Sequence, residues 1–252
     1  MKVDVVIPSI GEPSLFPCLK SVRQNINVNS IILIVPSYFK RQADLIADKV
    51  ITLEEKNIGL ARHKGLEAVE TDYYASIDSD VLVNRKWFEW CIKTIVISDV
   101  GACQGYARSI AKNFSSIQDE SLKKSGGKDL TCLGNTMLKT EVVKKVGMPK
   151  KRFGEDFELR SRIEKAGFKW VSNIAIICEH LRTDMDILKH TIRWEKSRGT
   201  LYLNDPLKNL AYHLSLGFLD YPTSQNMFQI WFNICKIYGS LRGYRNVAFT
   251  CY

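Results

Sequence analysis

The first eighty residues constrain the fold most, because short, nearly unbroken apolar runs alternate there with stretches of helical spacing. Val3 to Pro8 is a β-branched run closed by Pro8 and Gly11, which predicts a buried strand. Leu15, Leu19, Val22 and Ile26 then recur at helical intervals. "SIILIV", Ser30 to Val35, predicts a second buried strand, stopped by Pro36. A helix is expected around Arg41 to Asp48, a third strand over "KVITL", a helix from about Gly59, and a fourth strand over Tyr73 to Ile77. Strands that are apolar on both faces and alternate with helices imply a parallel sheet covered on both sides. Right-handed crossovers then build a Rossmann-like half.

The fourth strand runs directly into Asp78-Ser79-Asp80. Two carboxylates one residue apart repel each other, so their place at a strand end needs a reason. In open α/β sheets the ligand crevice lies at the carboxyl ends of the strands. Residues i and i+2 of an extended segment point to one side. Both carboxylates are therefore expected to project into the crevice. A divalent cation between them, or between one of them and a bound phosphate, relieves the repulsion. An Asx-type turn capping the next helix accounts for the same residues with no ligand at all.

The second half changes pattern. Val100 to Ala107 and Leu130 to Lys139 read as strands, separated by a polar connection with a Gly pair that is either functional or disordered. "TEVVKKVG" predicts a short helix before Gly147, and "FGEDFELRSRIEKAGFKW" a helix from about Glu155 to Gly167. "WVSNIAIICEH" predicts a last strand ending in Glu179 and His180. Thr183 and Asp186 are spaced as a capping box for a following helix. Trp87, Phe88 and Trp90 are expected to pack against the sheet.

The chain of 252 residues suits one large domain, or one domain with an appendage. No apolar run of about 18 residues suggests a spanning helix, and the N-terminus reads as a strand rather than a signal peptide. A cytosolic chain is the default. Seven cysteines, an odd number with no C-x-x-C pair, favour reduced thiols over zinc or disulfides. A net charge of +9 favours anionic partners. The basic residues are scattered among acids, which argues against a nucleic-acid arm.

Four segments, in this order, resemble the family 2 glycosyltransferases, whose catalytic domain has the GT-A fold. They are "VVIPSIGEPSLFPCLKSV", "NIGLARHKGLEAVETDYYASIDSD", "TCLGNTMLKTEVVKKVGMPKKRFGEDFELRSRIEKAGFKW" and "IAIICEHLR". The resemblance covers about residues 1 to 200, and the order and spacing of the motifs make it specific. It implies a GT-A domain over 1–202, an α/β fold with a mostly parallel sheet flanked by helices. The nucleotide-binding half would span about 1–99 and the acceptor half about 100–202, with a helical tail over 203–252. It implies that Pro8, Ser9 and Glu12 line the nucleotide pocket, that Arg62 lies near the nucleotide, and that Asp78 lies near the ribose or sugar. Asp80 and His180 would hold Mg2+ or Mn2+ at the diphosphate. Gly134 and Asn135 would lie near the donor sugar. Asp156, supported by Glu155, would be the general base that deprotonates the acceptor hydroxyl. The implied partners are a UDP-, GDP- or dTDP-sugar donor and a glycan, lipid or protein acceptor, with no nucleic acid.

Bland rivals stand beside these roles. Glu155 and Asp156 suit the dipole at a helix N-terminus, His180 suits a satisfied strand end, and Gly134-Asn135 suits a bulge. The chain also departs from the family pattern. Pro36, Ser37 and Tyr38 stand where many members carry base-binding acids, and His63 and Lys64 follow Arg62 in place of the more usual Asn. No Q-x-x-R-W segment of processive synthases is seen, which favours transfer of a single sugar. A sugar-nucleotide nucleotidyltransferase is the rival enzyme, but "PSIGEPSLF" lacks the Gly-rich basic loop such enzymes carry. A catalytically inactive GT-A binding module is the rival of another class. In the tail, Met227, Ile230, Trp231, Ile234, Tyr238 and Leu241 form a helical stripe. It suits packing on the domain, a homodimer contact, or peripheral contact with the cytoplasmic membrane face.

Overall fold

The computed structural model describes residues 1–125, 130–183, 185–187, 189, 234 and 238. Eight strands form one sheet: β1 (Val3–Pro8), β2 (Val28–Val35), β3 (Lys49–Thr52), β4 (Tyr73–Ile77), β5 (Val81–Leu82), β6 (Val100–Ser109), β7 (Asn135–Lys139) and β8 (Lys169–His180). Their order is β3-β2-β1-β4-β7-β6-β8-β5. The first four run parallel, as the alternation of strands and helices predicts. Beyond β4 the pairing turns antiparallel, β4 with β7, β7 with β6, and β5 with β8. β1 has β2 on one side and β4 on the other, so the strand order reverses there. That reversal places the crevice at the carboxyl ends of β1 and β4.

Among the described residues the helices are α1 (Leu15–Arg23), α2 (Lys40–Ala43), α3 (Ile58–Glu67), α4 (Arg85–Ile95), α5 (Lys112–Ser125), α6 (Thr140–Val146) and α7 (Glu155–Lys165). The strands pack by strict alternation. Val5 and Ile7 of β1, Ile31 and Leu33 of β2 and Ala75 and Ile77 of β4 meet α1 and α4, including Trp87 and Phe88. The intervening Val6, Ile32, Ile34 and Tyr74 meet α3, α6 and α7 on the other face. A fully buried Val, Leu or Ile contributes about 1.5–3 kcal/mol relative to exposure. Both sides of each strand are thus worth filling, and that is what an unbroken apolar run encodes.

Several boundaries differ from expectation. α1 stops at Arg23, and Ile26 is 87% exposed. The Asn25 side-chain amide donates to the carbonyls of Ser21 (2.9 Å) and Val22 (3.3 Å), closing the helix before Ile26 can join its stripe. The helix expected over 41–48 is the four-residue α2, after a 3-10 turn at Ser37–Phe39. β7 begins at Asn135 rather than Leu130. The polar connection contains α5, whose Asp119 accepts from the Arg108 guanidinium (2.7 Å) and the Tyr106 hydroxyl (2.9 Å) of β6. The "SGGKD" stretch falls partly on 126–129, outside the described residues.

The chain divides into two compact units. One is Met1–Arg108 with Asp119–Leu181, and the other is Ser109–Gln118 with Arg182–Tyr252. In the second, the capping box is present: the Asp186 backbone N–H donates to Thr183 Oγ1 (3.2 Å), and the Thr183 hydroxyl donates to Asp186 Oδ2 (2.6 Å). The 202/203 boundary and the tail stripe lie outside the described residues, except for Ile234 and Tyr238, which are helical and exposed. No helix among the described residues is long and apolar enough to cross a membrane.

Candidate active site

The strand that should deliver both carboxylates ends at Ile77, and the next residues turn. The Val81 N–H donates to the Asp78 carbonyl (3.0 Å), so Asp78 to Val81 is a tight turn and not an extended run. The expectation that Asp78 and Asp80 point to one side is thereby corrected. Each residue of the triplet faces a different element. Asp78 follows the parity of Tyr74 toward α3, where Oδ1 accepts from Arg62 Nη2 at 2.6 Å. The Ser79 hydroxyl donates to Glu12 Oε1, from the turn after β1. Asp80 Oδ1 lies 3.2 Å from His180 Nε2 at the end of β8.

The capping alternative for Asp78 and Asp80 fails on the same geometry. α4 is capped by Asn84, whose Oδ1 accepts from the Trp87 N–H at 2.9 Å. Neither aspartate of the triplet is spent on the helix.

Glu12 gathers the opposite wall. Its Oε2 accepts from the Ser9 hydroxyl (3.0 Å) and the Ile10 N–H (2.9 Å), while Oε1 takes Ser79. Gly11 adopts φ +84°, which favours glycine, so the turn closes tightly enough for one carboxylate to reach both strand ends. Pro8 and Ser9 are buried beneath it.

Gly134 is the floor under Asp78. A Cβ at this position would lie 2.5 Å from Asp78 Oδ2, and the Gly134 carbonyl accepts from the Asp78 N–H (3.0 Å). Asn135, paired with it in the sequence reading, is fully buried, and its carbonyl accepts from the Trp87 indole (3.2 Å).

Arg62, expected near the nucleotide, is 4% exposed, and its two Nη groups are taken by Asp78 and Glu155 Oε1. Its guanidinium is an internal clamp between carboxylates. Burial pushes the Glu155 carboxyl up to about 7, against the pull of Arg62, with Asp156 and Asp78 adding to the rise. Burial likewise raises Asp156, again opposed by Arg62. Asp156 Oδ1 accepts from the Phe157 N–H at 2.9 Å. Cys132 lies beside the same groups, its thiol pushed up to about 12 by burial and by Asp78 and Asp156. It is therefore a neutral wall of the site and not a thiolate.

Asp78, Glu155 and Asp156 thus gather around the Arg62 guanidinium, while Asp80 stands against His180. The 3.2 Å approach of His180 to Asp80 has no hydrogen-bond geometry, and Nε2 is buried with no hydrogen-bond partner. An imidazole nitrogen and a carboxylate oxygen converging in this way are suited to share a divalent cation. Among the described residues no three His, Cys, Asp or Glu are gathered into a cage. A cation here needs further ligands from a bound molecule, as Mg2+ commonly does with phosphates.

The sequence reading names Asp78, Asp80, Asp156 and His180, and it does not foresee the contact of Glu12 with Ser79, the support of Asp78 by Gly134, or the place of Cys132 beside Asp78. The Glu12 to Ser79 contact spans 67 residues and the Arg62 to Glu155 contact 93, beyond any local spacing signal.

No protein-family model matches the chain, and no curated protein matches its sequence. Solved structures do match. The mannosyltransferase PcManGT of Pyrobaculum calidifontis, in complex with GDP-Man and Mn2+, has a TM-score of 0.64 at 12% identity, covering 98% of this chain and 75% of that one. Glucosyl-3-phosphoglycerate synthase of Mycobacterium tuberculosis, with Mn2+ and UDP-glucose, has a TM-score of 0.52 at 16% identity, covering 72% and 71%. TarS of S. aureus has a TM-score of 0.54 at 12% identity, covering 86% of this chain and 43% of that one. This chain therefore has the GT-A type of fold.

Proposed function

We propose that the chain is a metal-dependent glycosyltransferase moving one sugar from a nucleoside-diphosphate donor to an acceptor hydroxyl, with inversion. One observation carries the reading. At the switch point of a GT-A sheet, Arg62 fixes Asp78 and Glu12 fixes Ser79, the Asp80 carboxylate and the His180 imidazole converge without hydrogen-bonding each other, and Asp156 lies close to Asp78. An inactive binding module has no need of such an arrangement.

Asp80 and His180 would hold Mg2+ or Mn2+ together with the donor diphosphate. When bound, the cation supplies positive charge against a leaving diphosphate. The chain's own residues do the rest. Pro8, Ser9 and Glu12 shape the floor of the nucleotide pocket. Asp78, fixed by Arg62 and Gly134, faces the ribose or sugar. Asp156 uses Oδ1 on the Phe157 N–H, leaving Oδ2 to take the proton from the acceptor hydroxyl as it attacks. Burial raises Asp156 and so makes it a stronger base than an exposed aspartate. One base and direct displacement invert the anomeric centre.

The relatives' GDP-Man and UDP-glucose put both nucleotides among the donors to try. A thermal-shift screen of UDP-, GDP- and dTDP-sugars with and without Mn2+ tests the reading. A ligand at 100 times its Kd stabilises by about 2.7 kcal/mol, which raises Tm by roughly 5–10 °C for a domain of this size. A shift that needs both Mn2+ and one nucleotide sugar is expected. No shift with any donor, with Mn2+ or Mg2+, overturns the proposal.

A further inference from the structure

Arg62 joins two carboxylates that belong to different parts of the crevice. Nη2 holds Asp78, at the end of β4, and Nη1 holds Glu155, the first residue of α7 and the neighbour of Asp156. The guanidinium is buried, and its Nε has no hydrogen-bond partner. Stability alone does not call for this arrangement. A buried ion pair replaced by well-packed apolar residues is often neutral or stabilising. What a planar fork adds is a fixed direction between two groups.

The surroundings point the same way. α3, which carries Arg62, is bolted to the loop leading into α7. The Asn57 side-chain amide donates to the Lys150 carbonyl (3.0 Å), and the Gly59 N–H donates to the Lys151 carbonyl (3.1 Å). A Cβ on Gly59 would lie 2.2 Å from that Lys151 oxygen, so the two segments touch backbone to backbone. The bolt fixes the loop, while Arg62 fixes the helix turn that follows it. Asp78 is boxed from the far side by Gly134.

We propose that Arg62, with Glu155 as its second anchor, is a positioning residue that holds Asp78 and the Asp156-bearing turn of α7 in one register. The proposal rests on the function proposed above, and its test separates the two. Arg62→Lys keeps the charge, but one ammonium cannot span both carboxylates. Glu155→Gln keeps an acceptor for Nη1 and deletes the charge beside Asp156.

Hydrogen exchange on the full chain reads the clamp directly. Arg62→Lys should speed exchange about tenfold in peptides covering 76–80 and 154–158 together, with residues 31–35 of β2 unchanged. Hydrolysis of UDP-glucose and GDP-mannose in Mn2+ reads the consequence. Arg62→Lys should lower kcat about 10- to 100-fold, with donor KM within about threefold. Glu155→Gln should likewise lower kcat with donor KM little changed, because a neutral amide holds Nη1 less firmly than a carboxylate does. A residue that only stabilised the fold would lose activity in proportion to the unfolded fraction and leave kcat per folded molecule unchanged. That result, or faster exchange in one of the two peptides alone, overturns the proposal. If the wild-type chain neither binds nor hydrolyses any nucleotide sugar, the proposed function falls, and exchange alone decides the clamp.

Discussion

Gly134→Ala is the sharpest single perturbation of the crevice, because its effect can be worked from distances. The added Cβ would sit 2.5 Å from Asp78 Oδ2, 2.8 Å from its Cγ and 3.2 Å from Cys132 Sγ. Restoring ordinary contact requires the Asp78 carboxylate to retreat by about 0.9 Å. Its bond to Arg62 Nη2 starts at 2.6 Å and would stretch to the limit of hydrogen bonding. Losing a hydrogen bond to a charged group costs about 1.5–3 kcal/mol, and overpacking costs about 1–3 kcal/mol. The two are alternative ways of relaxing, so the net loss is about 1–3 kcal/mol. That lowers Tm by roughly 2–12 °C. Gly167→Ala is the control: it has φ +86° and nothing within 4 Å, so only the left-handed backbone penalty of about 1–2 kcal/mol applies. Scanning fluorimetry with and without Mn2+ and donor measures both. If Gly134→Ala melts within about 2 °C of wild type and answers Mn2+ and donor like wild type, the account of Gly134 as the support of Asp78 is wrong.

Two further outcomes follow. Asp156→Asn should lower transfer by about 10²- to 10⁴-fold while donor binding survives, and Asp80→Ala should instead weaken the Mn2+-dependent donor shift; paired melts and turnover assays separate them. At the opposite end of the sheet, Asp4 is fully buried, yet hydrogen bonds from Ser30, Asn29, Glu70 and Thr71 outweigh burial and hold its pKa below 3.8. A depressed carboxylate stabilises above its unfolded pKa and loses that contribution as pH falls through the folded one. Asp4→Asn should therefore cost about 1–3 kcal/mol at neutral pH and progressively less below pH 3.8 in urea melts.

Much of the parallel part of the sheet was legible because its signals are local. β1 and β4 fall on the residues predicted, since β-branched runs bounded by Pro8, Gly11 and Asp78 leave little freedom. α5 was not legible. Its sequence is polar, and it is anchored by an Asp119 contact to Arg108 and Tyr106 that no periodicity announces. The two-residue β5 exists only because Val81 and Leu82 find His180 and Glu179. Asp78 and Asp80 were legible as residues but not in direction, because the turn that separates them depends on Val81 bonding back to Asp78. Arg62 reads in sequence as a residue near the nucleotide. Only the fold brings Glu155, 93 residues away, to bury it.

β4 has one further consequence. It hydrogen-bonds to β1 on one side and to β7 on the other. A cut near residue 99 therefore strips β4 of a partner strand. Residues 1–99 alone would expose Tyr73–Ile77 as a raw sheet edge, and four of its five residues are buried in the whole chain. Apolar edges of this kind seed aggregation. The two segments are not exchangeable modules. A chimera that swapped the second segment between chains of this fold would have to inherit β4 and β7 from the same parent.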